Sequence, residues 1–590
     1  MTKLTKSLLA AIAVLLASIA AFAFVACGEV DTRAPHATPV NIELEVGADR
    51  VTVDITHTDT DTRTLEFGID GVNWQDEPII TGLKPDTEYT VYVRYKEDER
   101  CLASDVPFTQ KIKTLKFTQD APDVEIVQEY KTVSFAANPD LEFSYDGGNT
   151  YVAENTHTYT EYGAVTVKVR YKETSEKYSG TDKEFKIRIS DFYGGMGTES
   201  NPYLINSVEE FLKIETTRAH FKLLKDLDFS QTQAFYPLRC NSLDGNEKKL
   251  TAPHVYSDKD EGSASFAAIF AEIGLVKDLT VENAVIEWDR DGTIGAEETA
   301  IAVLAGRAAE LENCSVSGSI SIKGDNYYPL YVGGLVGKLT NSFRQLMIEP
   351  DNLYIKSCKA DVSAISSVED NSYRQDRPHF IGGLVGSIEA KDFSAELVNS
   401  YAAVDFELKD LSSGYIGGII GRGINVNVKN CYSTGTIVKI ELPEAIGANK
   451  LTMIGGIAAY MLNCNIDCCY SDINLSADGH KYNTALAGIA ALFTGDGENE
   501  NVIKNCLFAG NLYVNSDGTT AVALDTVCVT LEDADVSNCY HIEGVASDLE
   551  TDKSTAVSEA TAKTAEWQQN VLKFSAENWN IKEGEYPSIK

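Results

Sequence analysis

Five oxygen-bearing residues in the segment 287–298 are spaced as the ligands of a calcium ion would be. They are Glu287, Asp289, Asp291, Thr293 and Glu298. These residues fall at positions 1, 3, 5, 7 and 12 of a twelve-residue loop, with Gly292 at position 6. Hard oxygen donors at such positions suit Ca²⁺. Position 1 is Glu rather than Asp, and both flanks of the segment predict strands, so an acidic solvated loop between two strands is the alternative interpretation.

Cysteine occupies one repeated position, usually after Asn. The six members are Cys314, Cys358, Cys431, Cys469, Cys506 and Cys539, and Ser400 takes the place in one repeat. A coil of parallel strands would stack these residues about 4.8 Å apart. Side chains that point the same way make poor disulfides, and a free Cys packs as a small hydrophobe, so buried thiols are favoured. Disulfides and a metal site around Cys464 and Cys468 remain open, although that cluster has no nearby His.

The sequence carries no motif of a known catalytic site. It contains no H-E-x-x-H zinc motif, nucleophile elbow, Walker loop or dinucleotide fingerprint. Hydrolysis of a glycan would need convergent carboxylates on one face, whereas we expect Asp361, Asp405 and Asp472 in loops that vary between repeats. The chain is therefore not expected to be an enzyme. Its 88 acidic and 51 basic residues give a net charge of −37, which also excludes a nucleic-acid partner held by electrostatics.

A small-residue position recurs every 31 to 49 residues between residues 266 and 489 and organises the long C-terminal region. Its glycines are Gly333, Gly382, Gly417 and Gly455, and Ala takes the same place in three other repeats. A position that never exceeds Ala indicates a size limit, which a neighbouring backbone would impose. The fold class predicted is all-β, with a right-handed parallel β-helix as the repeat array. Ser207 and Glu210 form a capping box, which predicts a short capping helix that extends to about Thr216.

Two similar segments precede the array. Leu65 and Arg94 in the first segment match Leu141 and Arg170 in the second, in each case 76 residues later. Alternating apolar residues predict two β-sandwich modules, one over 40–114 and one over 115–190. The run from Leu83 to Tyr89 resembles the corner loop of fibronectin type III domains, in which a Tyr closes the corner. The second copy keeps Tyr162 but lacks the Leu-x-Pro turn.

The first residues predict export and anchoring. A basic start and an apolar run from Leu8 to Phe24 precede Cys27, as in a signal peptide. This segment resembles a bacterial lipoprotein signal, with Phe24 where Leu is usual. The resemblance implies a signal peptide over 1–26, lipidation of Cys27, and a membrane as partner. Residues 27–39 are polar and contain Pro35 and Pro39, which predicts a tether.

The repeat region resembles the GLUG-motif domains of bacterial surface proteins, through text such as Gly334-Leu-Val-Gly337 and Gly383-Leu-Val-Gly386. We expect this β-helix over 191–545 and a C-terminal cap over 546–590. The resemblance implies a lipid-anchored cell-surface protein outside the cytoplasm. Solenoids bind through extended walls, so adhesion to a glycan or a host matrix protein is the leading expectation, with Ca²⁺ as the candidate cofactor. A polysaccharide lyase or glycosidase on the β-helix and a passive stalk are the alternatives.

Overall fold

The computed structural model describes residues 31–590 with several gaps. The residues outside this description are 1–30, 56–61, 215–217, 259–263, 291–297, 326–328, 344, 347, 370–378, 391–392, 410–413, 441–450, 481–482, 496–500, 517–521 and 546–552. The chain divides into two compact units. The first comprises 1–126, 134–157 and 165–186, and the second comprises 127–133, 158–164 and 187–590. No helix among the described residues is both long enough and apolar enough to cross a membrane.

Six strands and one core form the first module. The strands are β1 (Ile42–Val46), β2 (Arg50–Ile55), β3 (Leu65–Gly68), β4 (Ile79–Thr81), β5 (Glu88–Tyr95) and β6 (Phe108–Lys113). They make two antiparallel sheets, β1-β2-β4 and β3-β5-β6, whose alternating apolar residues bury one cluster that includes Val51, Phe67 and Val91. The Tyr89 hydroxyl accepts a hydrogen bond from the Lys84 backbone N–H at 2.9 Å. The predicted corner contact is therefore present, while the closer assignment to fibronectin type III domains stays a prediction.

The next six strands repeat several of these contacts. They are β7 (Val127–Glu129), β8 (Thr132–Ser134), β9 (Leu141–Ser144), β10 (Thr156–Thr158), β11 (Gly163–Tyr171) and β12 (Lys183–Ile189), in the sheets β10-β8-β7 and β12-β11-β9. Glu142 pairs with Arg170 at 2.7 Å, as Glu66 pairs with Arg94 at 2.8 Å in the first module. The corner is different, because Tyr162 is exposed and donates instead to Asp191.

A short lead-in precedes the repeats. It contains β13 (Tyr203–Ile205), α1 (Val208–Phe211), β14 (His220–Leu223), β15 (Leu227–Asp228), β16 (Leu238–Thr251) and β17 (His254–Ser257). The Ser207 hydroxyl caps α1 by accepting from the Glu210 N–H at 3.2 Å. The helix has one turn, so the predicted extension toward Thr216 is wrong for Leu212 to Ile214. Tighter i→i−3 hydrogen bonds replace it there and let Ile214 enter the core.

The repeats coil into a parallel β-solenoid of about seven turns over residues 238–541. One strand of each turn contributes to an eight-stranded sheet that contains the small-residue position: β18 (Ala264–Ala267), β20 (Glu298–Ala302), β23 (Leu330–Gly333), β27 (His379–Gly382), β30 (Gly414–Gly417), β33 (Leu451–Gly455), β37 (Asn483–Ala487) and β42 (Val522–Asp525). The remaining strands of the turns, together with β13–β17, form a second, 26-stranded sheet. They are β19 (Phe270–Arg290), β21 (Ala305–Glu312), β22 (Ser315–Asp325), β24 (Val336–Leu339), β25 (Tyr354–Lys356), β26 (Lys359–Glu369), β28 (Val385–Glu389), β29 (Ala395–Lys409), β31 (Ile420–Ile424), β32 (Val426–Ile440), β34 (Ala458–Leu462), β35 (Asn465–Asp467), β36 (Tyr470–His480), β38 (Ala490–Thr494), β39 (Val502–Lys504), β40 (Leu507–Phe508), β41 (Leu512–Ser516), β43 (Cys528–Glu532), β44 (Asp535–Ser537), β45 (Tyr540–Ile542) and β46 (Thr555–Val557).

The small-residue position lies where the chain leaves the eight-stranded sheet. A Cβ on Gly417 would stand 1.9 Å from the carbonyl oxygen of Ile420, three residues later, and the other three glycines face the same contact at 1.8–2.1 Å. At these four glycines the predicted size limit therefore has its predicted cause, whereas the last strand, β42, places Asp525 in register with Ala487. The following glycine meets the next turn, since a Cβ on Gly383 would lie 2.0 Å from the Gly418 carbonyl oxygen.

A residue in a left-handed bend, usually Asn, precedes each ladder position; Ser357 takes this place before Cys358 and Cys468 before Cys469. Asn313, Asn399, Asn430, Asn505 and Asn538 have φ between 51° and 54°. This left-handed conformation is costly for most residues and is tolerated by Asn. Stacked amides add hydrogen bonds between turns, such as the one from Asn430 Nδ2 to Asn399 Oδ1 at 3.0 Å.

The last residues return along the outside of the solenoid. They form α2 (Glu559–Ala562), α3 (Ala565–Asn570), β47 (Trp579–Asn580) and β48 (Ser588–Ile589). A separate apolar cluster joins Phe574 and Trp579 to Tyr432 and Tyr470. The segment predicted as a cap thus packs beside the turns, and β46 pairs with the last of them.

Candidate functional site

A polar wall of in-register residues runs along the outside of the solenoid. Its central row is Ser319, Ser363, Asp405, Thr436 and Asn474, and its second row is Ser317, Asp361, Ala403, Thr434 and Asp472. Each row places one residue on each of β22, β26, β29, β32 and β36. These side chains are exposed or half-buried, and the alternating residues face the core. Parallel pairing in register sets neighbours in a row about 4.8 Å apart.

Carboxylates stand on this wall and not in loops. Asp361 lies in β26, Asp405 in β29 and Asp472 in β36. The expectation that these residues occupy loops between repeats is therefore wrong. The strands are longer than their apolar alternation alone predicts, so outward positions that resembled loop residues are ladder positions. Asp361 is paired with Ala403, two residues before Asp405, which makes the two carboxylates diagonal neighbours.

Stacked tyrosines border the wall at the bend. The Tyr401 and Tyr432 rings stack at 4.8 Å and the Tyr432 and Tyr470 rings at 4.9 Å. The C-terminal segment covers the last two, which leaves Tyr401 half-exposed with the Lys359 ammonium 5.9 Å from its ring. Burial, with a smaller contribution from Asp361, raises the pKa of Tyr401. Its phenol is therefore neutral at physiological pH and can donate a hydrogen bond.

A second cluster of charged residues lies between the two sheets and has a structural character. The carboxylates of Glu272 and Glu298 both pair with Arg307, which is buried. Lys338 lies 3.8 Å from Glu298 and 3.6 Å from Glu389. Three aromatic rings stack beside these charges. The ring centroids of Tyr331 and Phe380 are 5.2 Å apart, and those of Phe380 and Tyr415 are 5.5 Å apart. Each of these carboxylates is therefore paired with a cation.

The three described calcium-ligand candidates have different surroundings. Glu287 bonds to His254 at 3.0 Å, Asp289 is exposed near the end of β19, and Glu298 is buried against Arg307. Asp291 and Thr293 lie outside the described residues. A calcium ion would therefore have to compete with Arg307 for Glu298. The flanking strands β19 and β20 are as predicted.

The six ladder cysteines face the core and are at most 4% exposed. They are free thiols, as are the other cysteines that the structure describes. The Cys431 Sγ donates to the Lys429 carbonyl at 3.3 Å, and the Ser400 hydroxyl occupies the same place by donating to the Val398 carbonyl at 2.8 Å. Burial raises the pKa of the Cys314 and Cys469 thiols well above the usual value. These thiols are packing residues with low nucleophilicity.

The predicted lipidation residue, Cys27, lies outside the described residues. Residues 34–38 of the predicted tether are hydrogen-bonded to the first module. The His36 N–H donates to the Leu102 carbonyl at 2.9 Å, and the Thr38 hydroxyl donates to the Val106 carbonyl at 2.8 Å.

Two features of this surface escaped the sequence argument. The left-handed bend before each ladder position was not predicted, although the recurrence of Asn at that place in the sequence was the available signal. The stacked tyrosines also had a signal, since Tyr401, Tyr432, Tyr470 and Tyr540 each follow the ladder position directly.

Comparisons with known proteins give weak similarities. No protein-family model matches the chain. Halomucin of Haloquadratum walsbyi is 27% identical over 229 residues, which is 34% of this chain and 2% of the length of that protein. An IgA1 protease structure aligns over 90% of this chain and 33% of its own, with 12% identity and a TM-score of 0.32. The FN1–FN3 domains of chicken CNTN1 align over 26% of this chain and 65% of theirs, with 15% identity and a TM-score of 0.12. A family 28 exopolygalacturonase of Yersinia enterocolitica aligns over 85% and 99%, with 7% identity and a TM-score of 0.13.

Proposed function

We propose that this chain is an extracellular surface protein that binds an extended glycan along its polar wall. The observation that carries the proposal is the pair of in-register polar rows on five successive long strands. Four intervals of about 4.8 Å give each row a length of roughly 19 Å. A linear polymer that lies across the strands would meet one hydroxyl, amide or carboxylate on nearly every strand.

Chemistry at the wall favours a glycan. Hydroxyl and amide groups can both donate and accept hydrogen bonds, which suits the hydroxyl groups of sugars. Tyr401 adds an aromatic edge near Asp361. A carbohydrate can pack against such an apolar surface while the neighbouring polar groups orient it.

We also propose that the chain is located at the cell surface. The partial similarity to halomucin supports a cell-surface setting. A lipid on Cys27 would attach the chain to the membrane on the outer side. Calcium bound at the 287–298 segment would be a cofactor of this binding.

Glycan binding can be tested on an array of glycans and matrix proteins with the chain from residue 28 onward, in Ca²⁺ and again in chelator. We expect a defined set of glycans to bind. The Asp405→Arg/Thr436→Arg variant should lose that binding. The matched control is Glu396→Arg, which lies on β29 before the bend at Asn399 and therefore outside the polar rows.

Each result has a distinct meaning. Loss of binding in chelator would add calcium to the proposal. Binding to matrix proteins alone, silence across the array, or equal binding by the wall variant and its control would each contradict a glycan wall.

A second candidate function is glycan hydrolysis, because Asp361 and Asp405 are diagonal neighbours on one exposed surface. Hydrolysis by two carboxylates needs both groups to flank the scissile bond. Release of reducing ends from an array-positive glycan, abolished by Asp405→Asn, would favour this function over simple binding. The absence of released ends from a glycan that binds would exclude it for that ligand.

A further inference from the structure

Three side chains with different metal-binding atoms meet at one edge of the first module. They are His36, Asp98 and Cys101, and one ligand atom from each lies within 4.8 Å of the other two. The His36 Nε2 is 3.0 Å from the Asp98 Oδ2. The donors are therefore one imidazole nitrogen, one carboxylate oxygen and one sulfur, and they come from two segments that are far apart in sequence.

Local hydrogen bonds hold this trio together before any ion is present. The Asp98 Oδ1 accepts from the N–H groups of Arg100 and Cys101 at 2.7 and 2.8 Å, which forms a tight turn and leaves Oδ2 to face His36. The segment that contains His36 is held next to this turn by a backbone hydrogen bond, in which the Leu102 N–H donates to the Ala34 carbonyl at 3.0 Å. Preorganised ligands lower the cost of binding.

Burial distinguishes this trio from an ordinary surface ion pair. The His36 side chain is only 8% exposed, whereas Asp98 is 41% exposed. The ring is therefore held against the module with Nε2 toward the other two ligands, and solvent reaches the cluster from the Asp98 side. Among the described cysteines, Cys101 alone is not buried.

We propose that His36, Asp98 and Cys101 bind a divalent ion of the zinc class. Zinc accepts nitrogen, oxygen and sulfur donors in a tetrahedron, and three protein ligands with a water in the fourth place make a known arrangement. Ligand atoms around such an ion are about 3.3–3.8 Å apart, given bonds of about 2.0–2.3 Å. The present spacing needs only side-chain adjustments to reach that range. On binding, the Cys101 thiol forms a bond from sulfur to the metal and releases its proton to solvent.

The ion would fasten the start of the module to a turn 62 residues away. The segment around His36 follows Cys27 closely, so the site would reinforce the point at which an anchor meets the folded protein. This role does not depend on the polar wall, and either proposal can fail without the other.

The test uses the chain from residue 28 onward in a reducing buffer that does not bind metals. Calorimetry with Zn²⁺ should show one ion per chain, and Co²⁺ should give the absorption bands of a tetrahedral thiolate complex. A thiol reagent should modify one cysteine in the native chain, Cys101, and Zn²⁺ should protect it. Cys101→Ser and His36→Gln should each weaken the apparent affinity at least tenfold.

His254→Gln is the matched control, because His254 also pairs with a carboxylate, Glu287, at 3.0 Å but no cysteine joins that pair within the described residues. It should leave metal binding unchanged. Circular dichroism of the metal-free variants shows whether each has folded. The absence of a one-to-one Zn²⁺ complex would overturn the proposal. Loss in Cys101→Ser with full binding in His36→Gln would also overturn it, since a lone thiol would then hold the ion.

Discussion

The indole Nε1 of Trp579 donates to the Oδ1 of Asn430 across 3.3 Å. Asn430 is itself a left-handed bend residue of the solenoid, with φ 53°. The Trp579 ring stacks on Phe574 at 4.6 Å and lies 5.8 Å from Tyr470. One tryptophan thus fastens the returning C-terminal segment to a bend and to the tyrosine stack beside it.

Trp579→Ala should loosen that segment. Removing a fully buried Trp costs about 3–5 kcal/mol through lost burial and a residual cavity. Hydrogen exchange should therefore speed up across residues 555–590 while the strands around Ile416 keep their protection. Trp567→Ala is the control, since Trp567 is half-buried and should cost less. Equal exchange in the two variants would contradict the anchoring role of Trp579.

Two glycines of β30 should respond oppositely to alanine. Gly417→Ala would place a Cβ 1.9 Å from a carbonyl oxygen, whereas a Cβ on Gly414 would meet only the Ile416 side chain at 3.5 Å. We expect Gly417→Ala to lower the free energy of unfolding by about 1–3 kcal/mol, as overpacking does. Gly414→Ala should be neutral or slightly stabilising, because the unfolded chain loses freedom. Denaturant melts of the two variants check this, and a harmless Gly417→Ala would contradict the close backbone contact at this glycine.

Breaking the buried ion cluster should be costly. Arg307 and Glu272 have side-chain exposures of 5% and 1%, while the surface pair Lys249 and Glu282 has 46% and 40%. Arg307→Met would leave buried carboxylates without their cation and should destabilise the chain by about 3–5 kcal/mol. Lys249→Met should cost no more than about 1 kcal/mol. Thermal unfolding of both variants measures the difference, and similar melting temperatures would argue that water reaches the Arg307 cluster.

Asp472→Asn should stabilise the protein at neutral pH. Partial burial is the main cause that raises the pKa of Asp472; Lys563 opposes this with a smaller effect, and Glu559 adds to it. A raised carboxyl pKa favours the protonated form in the folded state, so its contribution is complete below the unfolded pKa and is lost as pH rises through the folded one. The advantage of the variant should therefore shrink as the pH falls. Unfolding measured from mildly acidic to neutral pH tests this, and a pH-independent difference would assign the effect to packing.

Much of the solenoid was predictable because repetition reports which residues are equivalent. The Ile381, Ile416 and Ile454 positions do stack from turn to turn, and the glycine position has the close contact expected. The outward position of Asp405 was missed because acidic composition is common to loops and exposed strand faces. The return of Trp579 to Asn430 was out of reach, since a contact across 149 residues leaves no local pattern. The repeated Asn before the ladder position could be seen in the sequence, but its left-handed φ could not.

In-register pairing of successive turns would allow the polar wall to be lengthened by duplication of a turn. Each turn of the polar wall pairs with the turns next to it, so duplicating one turn would lengthen both rows without altering the contacts within the others. The length of the wall would then increase in steps of about 4.8 Å, one for each added turn. A wall of this kind would select its ligands mainly by their length rather than by their shape.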